Sequence, residues 1–119
     1  MTEYPNEALL IGIDHYHWQP LRGCVADAEA MHATLAYHDD GSANFDCSLL
    51  TSADEEVSEA RMRRAIKSFF KKGRGEIGIL YFSGHGGDGE YDNYLMGQDA
   101  EAYDVGISFT ELMNIVNGS

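Results

Sequence analysis

One of the five histidines stands apart by its neighbours. Ser83-Gly84-His85-Gly86-Gly87 follows the apolar run Ile77-Gly78-Ile79-Leu80-Tyr81-Phe82. Such a run reads as an interior strand of a parallel sheet, and ligand crevices of open α/β sheets lie just past the carboxyl ends of the strands. His85 is therefore an imidazole with little side-chain bulk beside it, placed where chemistry is usually done. Charge adds a second signal. Seven of the eight basic residues fall between Arg61 and Arg74, and from Gly75 onward there are eight carboxylates and no Lys or Arg. The segment carrying His85 is uniformly negative, which favours a cationic ligand or a metal ion; solubility alone is the plainer reading.

The elements that position His85 follow from periodicity. Residues 8–14 read as a buried strand, and residues 15–23 as a loop. Residues 24 to about 38 read as a helix, with Val25, Ala28, Met31, His32 and Leu35 at helical spacing. Phe45 to Thr51 is a second strand. Ser52-Ala53-Asp54-Glu55 has the spacing of a capping box. The helix after it puts Met62, Ala65, Ile66, Phe69 and Phe70 on one face and ends at Gly73. The third strand runs to Ser83, residues 86–92 are a polar loop, and residues 94–96 form a short strand. Ser108 caps a last helix, 109–117. The order β-α-β-α-β implies a mostly parallel sheet covered on both faces. A further strand is expected after the last helix, so residues 1–119 read as the N-terminal portion of one domain.

Composition narrows the function classes. A length of 119 residues and 44% apolar content suit one compact domain. A net charge of −12 argues against nucleic acid and anionic lipid. No apolar run reaches the length of a membrane span and the N-terminus is acidic, so a cytoplasmic protein is expected. The two cysteines, Cys24 and Cys47, suggest neither a disulfide framework nor a zinc site.

Three blocks together resemble the caspase-like cysteine peptidases, the metacaspase-like and bacterial members more than animal caspases. They are residues 8–14 with Leu21-Arg22-Gly23-Cys24-Val25-Ala26-Asp27-Ala28; then Tyr81-Phe82-Ser83-Gly84-His85-Gly86; then Tyr94-Leu95-Met96 with Asp99, Gly106-Ile107-Ser108-Phe109 and Glu111-Leu112. The resemblance implies a three-layer α/β/α sandwich, incomplete at its C-terminus, and an endopeptidase with a Cys–His dyad. It makes His85 the catalytic histidine and the Gly86 backbone N–H part of an oxyanion hole. The glycine beside His85 would let a substrate backbone approach.

The family places its nucleophile downstream of the histidine, whereas Cys24 and Cys47 lie upstream. The resemblance therefore puts the nucleophile on a following segment or a second chain. It also makes Cys24, Asp27 and Ser83 the lining of a pocket for Arg or Lys before the cut. The alternatives are that Asp27 supports a helix N-terminus and that Cys24 is a small core residue. Arg22 keeps open the animal-caspase preference for Asp. Many metacaspases bind calcium through carboxylates after the histidine block; Asp88, Asp92, Asp99 and Asp104 are the weak candidates here, against a solvated acidic loop, and no other cofactor is expected. The expected partners are a protein substrate with a basic residue at the cut and the cysteine-bearing segment. A non-catalytic caspase-like module that binds peptides is the rival from another class.

Overall fold

The computed structural model describes residues 4–71, 77–88, 92–101 and 106–118, with Asp88 described by its backbone alone. Strands β1 (Asn6–Gly12), β2 (Phe45–Thr51) and β3 (Gly78–Ser83) form a parallel sheet in the order β2-β1-β3. Strand β1 sits between its partners and is buried over most of its length, as its unbroken apolar run requires. Alternation along β1 divides the core. Ala8 and Leu10 pack with Ala28 of helix α1 (Cys24–Leu35) and with Phe45. Leu9, Ile11 and Ile13 pack on the other face with Met62, Ile66 and Phe69 of α2 (Glu59–Lys71) and Leu112 of α3 (Phe109–Asn117). The result is a three-layer α/β/α sandwich. A second, antiparallel sheet follows, β4 (Gly86–Asp88), β5 (Asn93–Leu95) and β6 (Ile107–Ser108), in the order β4-β5-β6.

Several boundaries differ from the sequence reading, each for a local reason. Strand β1 starts at Asn6, two residues early, because that polar residue ties three chain segments together. Its amide N–H and Nδ2 donate to the backbone and side-chain oxygens of Asn44, and its Oδ1 accepts from the Ile77 N–H. Helix α1 ends at Leu35 instead of about residue 38, because Tyr37 bridges to Ala43 across a turn at Gly41, φ 86°. Ser52 does not cap α2. Its hydroxyl accepts from the Asp14 N–H at 2.9 Å, and Ser58 caps the helix by accepting from the Arg61 N–H at 3.1 Å. Residues 86–88 form a strand where a loop was expected; the glycines that hid it are accommodated by pairing with β5, Gly86 opposite Leu95. The expected helix stop at Gly73 lies outside the described residues.

The start of α1 is held from a distance. Gly23, φ 90°, offers no side-chain cap. Asp14, just past β1, accepts from the N–H groups of Cys24 at 2.8 Å and Val25 at 3.3 Å. This carboxylate satisfies two orphan donors and complements the positive end of the helix dipole. The approach is close: a side chain at Gly12 would come within 2.6 Å of the Cys24 carbonyl oxygen.

Candidate active site

His85 lies immediately past the carboxyl end of β3, where the apolar run gives out. Its ring is held on three sides. The Trp18 indole stacks on it, centroids 4.7 Å apart at 27°, and Tyr16 meets it edge-on at 4.6 Å. The third contact is polar: Nε2 lies 2.7 Å from the Gln19 carbonyl oxygen. A carbonyl can only accept, so Nε2 carries the proton. In the neutral ring Nδ1 is then the basic nitrogen, oriented by a fixed backbone group.

Tyr16 is the hub of this arrangement. It is 1% exposed, and burial pushes its phenol well above the usual range. Its hydroxyl accepts from the His85 N–H at 3.0 Å and donates to the Met96 carbonyl at 2.7 Å. Met96 N–H in turn donates to the His85 carbonyl at 3.1 Å. Residues 85 and 96 thus face each other at the head of the β4–β5 ladder, with the phenol inserted in place of one of their two direct bonds. The hydroxyl needs room, and Gly84 provides it, since a Cβ there would lie 2.6 Å from the Tyr16 oxygen. Gly84 is therefore explained by packing against Tyr16.

Gly86 is different. The nearest atom to a Cβ placed there is the Tyr94 carbonyl at an ordinary 3.7 Å. It stands opposite Leu95, one step on from the hydrogen-bonded position 85/96. Antiparallel ladders alternate, so this step turns the Gly86 N–H away from β5.

Cys24, Asp27 and Ser83 come together. Ser83 ends β3 opposite Gly12, and its hydroxyl reaches Asp27 Oδ2 at 3.5 Å, the limit of a hydrogen bond. Cys24, in the first turn of α1, also touches Ser83. Burial pushes its thiol pKa up, the Ser83 hydroxyl opposes this, and Asp14 and Asp27 add to the rise. Asp27 is exposed on the first turn of α1 and Arg22 lies exposed on the loop before it.

Neither thiol suits the role of nucleophile. A raised pKa keeps Cys24 in its unreactive neutral form. Cys47 lies on β2, level with Ala8 and hence with Ile79 across the sheet. That is six residues short of His85 and two strands away, so roughly 20 Å along the strands and roughly 10 Å across them. Burial raises its thiol as well.

Two of the four calcium candidates have other partners. Asp92 accepts from the N–H groups of Asn93 and Thr110, and the Thr110 contact chiefly draws its carboxyl below the usual range. Asp99 Oδ1 accepts from the Glu59 N–H at 2.9 Å. Each carboxylate thus serves a helix N-terminus, Asp92 at α3 and Asp99 at α2. Asp104 and the side chain of Asp88 lie outside the described residues. Among the described residues, no three His, Cys, Asp or Glu side chains form a group able to hold a metal ion.

Tyr16, Trp18, Gln19 and Asp14 escaped the sequence reading as parts of the site. The available signal was the density of ring side chains in His15-Tyr16-His17-Trp18 directly after a buried strand. Among the described residues no helix is long and apolar enough to cross a membrane. No curated protein matches the sequence significantly. The caspase-domain family model, in contrast, matches residues 6–119, a span that includes the His85 turn, the Asp27 helix and the sheet that aligns them. A histidine held by a backbone carbonyl at the end of a parallel strand thus sits within the matched span, and the chain belongs to the caspase-domain family.

Proposed function

We propose that this protein is the histidine-bearing part of a metacaspase-like cysteine endopeptidase that cleaves proteins after Arg or Lys. The family supports cysteine peptidase chemistry. The observation that carries the reading is the 2.7 Å contact from His85 Nε2 to the Gln19 carbonyl, which leaves Nδ1 as the base. The cysteine comes from a following segment or a second chain. Strand β3 is an outer strand of the described sheet, so its free edge can take the strand that bears it. His85 Nδ1 removes the thiol proton, and the thiolate attacks the scissile carbonyl carbon. The Gly86 N–H donates to the resulting oxyanion. The C–N bond breaks as His85 returns the proton to the leaving amine. Water then hydrolyses the thioester, giving a carboxylic acid and the free thiol.

Asp27, supported by Ser83 and Cys24, receives the cationic side chain before the cut by a charge-assisted bond. Arg22 belongs to the same region, but the carboxylates of Asp14 and Asp27 around Cys24 favour a cation over an aspartate. The test uses the protein together with its cysteine-bearing segment and a panel of fluorogenic peptides with Arg, Lys or Asp before the cut. Cleavage after Arg and Lys, abolished by His85→Ala and weakened for both by Asp27→Asn, is expected. Efficient cleavage after Asp alone would overturn the basic-pocket assignment. No cleavage, and no labelling by an electrophilic Arg-containing peptide, would leave the non-catalytic peptide-binding module.

A further inference from the structure

Among the described residues, strand β2 is the other outer strand of the parallel sheet, and its free edge is flanked by a charged helix. Alternation fixes which backbone groups face outward. Asn44 O accepts from Asn6 N–H and Ser52 N–H donates to Gly12 O, so the even-numbered residues point toward β1. The N–H and C=O groups of Cys47 and Leu49 therefore face the open edge. Beside that edge runs a groove of about 320 Å³. Its floor includes Leu50 and Phe69, Ser48 lies at its β2 side, and Arg61, Arg64 and Ser68 line its α2 side. Residues 61, 64, 65 and 68 recur at helical spacing, so one stripe of α2 overlooks the strand edge.

The charge of this groove is the reverse of the molecule's. The chain carries a net charge of −12, yet the α2 wall presents guanidinium groups. Arg61 is paired with Glu55 at 2.8 Å. Arg64 is exposed and has no ion pair among the described residues. An unpaired strand edge is a template for another strand, and arginines beside it select what that strand carries.

We propose that the β2–α2 groove is a docking site for an extended acidic segment of a partner protein, added as a further strand along β2. Its backbone pairs with Cys47 and Leu49, alternate carboxylates meet Arg64 and Arg61 on the α2 face, and the intervening apolar side chains lie on the opposite face beside Cys47 and Leu49. A second copy of this chain is a poorer occupant: β2 itself offers one carboxylate, Asp46, against two arginines in each groove. The site is independent of His85 and of any peptidase activity.

The probe is a fluorescein-labelled hexapeptide of alternating valine and glutamate, with the valine–lysine peptide as its control. Fluorescence anisotropy should show binding of the acidic peptide only. Arg64→Glu should weaken it about tenfold or more, as loss of a close interfacial charge pair does. Amide exchange should slow at Cys47 and Leu49 on binding. Because Arg64 is exposed, an unchanged melting temperature will verify that the variant folds. Equal binding of both peptides, binding without protection of Cys47 and Leu49, no binding, or concentration-dependent self-association through β2 would each overturn the assignment.

Discussion

Replacing Tyr16 by Phe removes one oxygen and tests the framework around His85. The ring contacts of Tyr16 with His85 and Trp18 remain, so the change isolates the hydroxyl. That hydroxyl makes two hydrogen bonds, to the His85 N–H and the Met96 carbonyl, in a site that is 1% exposed. Each neutral bond contributes about 1 kcal/mol net, and a buried group left without a partner costs about 1–3 kcal/mol more. Two bonds lost and a buried group left unpartnered give an expected loss of about 3–5 kcal/mol, a fall in melting temperature of roughly 10 °C or more for a chain of this length. Urea unfolding measures the free energy, and amide exchange reads the His85 N–H directly, which should lose its protection. If water fills the space and restores both bonds, stability will fall by less than about 0.5 kcal/mol with His85 still protected. That result would refute the claim that the phenol sets the position of the His85 backbone.

Three further outcomes follow from the geometry. Gly12→Ala pushes a Cβ to within 2.6 Å of the Cys24 carbonyl oxygen, a backbone atom that cannot step aside, so unfolding in urea should show a loss of about 2 kcal/mol or more. Arg63 holds Glu111 at 2.5 and 3.1 Å and Glu59 at 2.9 Å, and this lowers the Glu111 carboxyl pKa from its ordinary 4.5. The folded state then binds its proton less readily than the unfolded state, so the contribution is complete above pH 4.5 and fades as the pH falls through the lower folded value. Glu111→Gln should lower stability by about 1 kcal/mol at pH 7 and show a smaller loss between pH 5 and pH 3; an unchanged acid profile would contradict the pairing. Iodoacetamide should alkylate Cys24 slowly at neutral pH, with a rate that rises at higher pH than for an ordinary thiol, because burial favours the neutral form. Rapid alkylation at pH 7 would contradict the neutral, unreactive state assigned to Cys24.

The fold was legible in the sequence because parallel sheets demand continuous apolar runs. Residues 8–14 and 77–82 could be read as strands for that reason, and Met62, Ile66 and Phe69 as the buried stripe of α2, but residues 77–82 were expected inside the sheet and β3 is an outer strand of the described sheet. His85 was legible because a titratable ring between glycines at a strand end adds little to a core and much to a crevice. The convergence of Cys24, Asp27 and Ser83 was also readable, but only through the resemblance to a family, since these residues lie up to 59 positions apart. The β4 strand was not readable, because Gly86 and Gly87 have no preference for extended pairing until β5 supplies it.

By itself, the sequence determined the layers, the order of the parallel strands and their helices, and the imidazole past a strand end, all consequences of hydrophobic period and local turn chemistry. Tertiary structure alone decided how that imidazole is held. The Gln19 carbonyl and the Trp18 and Tyr16 rings reach it from a loop 66–69 residues earlier in the chain. Backbone carbonyls are present at every position and carry no sequence signal; which one meets His85 depends on where β1 ends beside β3. The same holds for the calcium candidates. Asp92 and Asp99 read as equivalent acidic residues along the chain, and folding sets each at the N-terminus of a different helix.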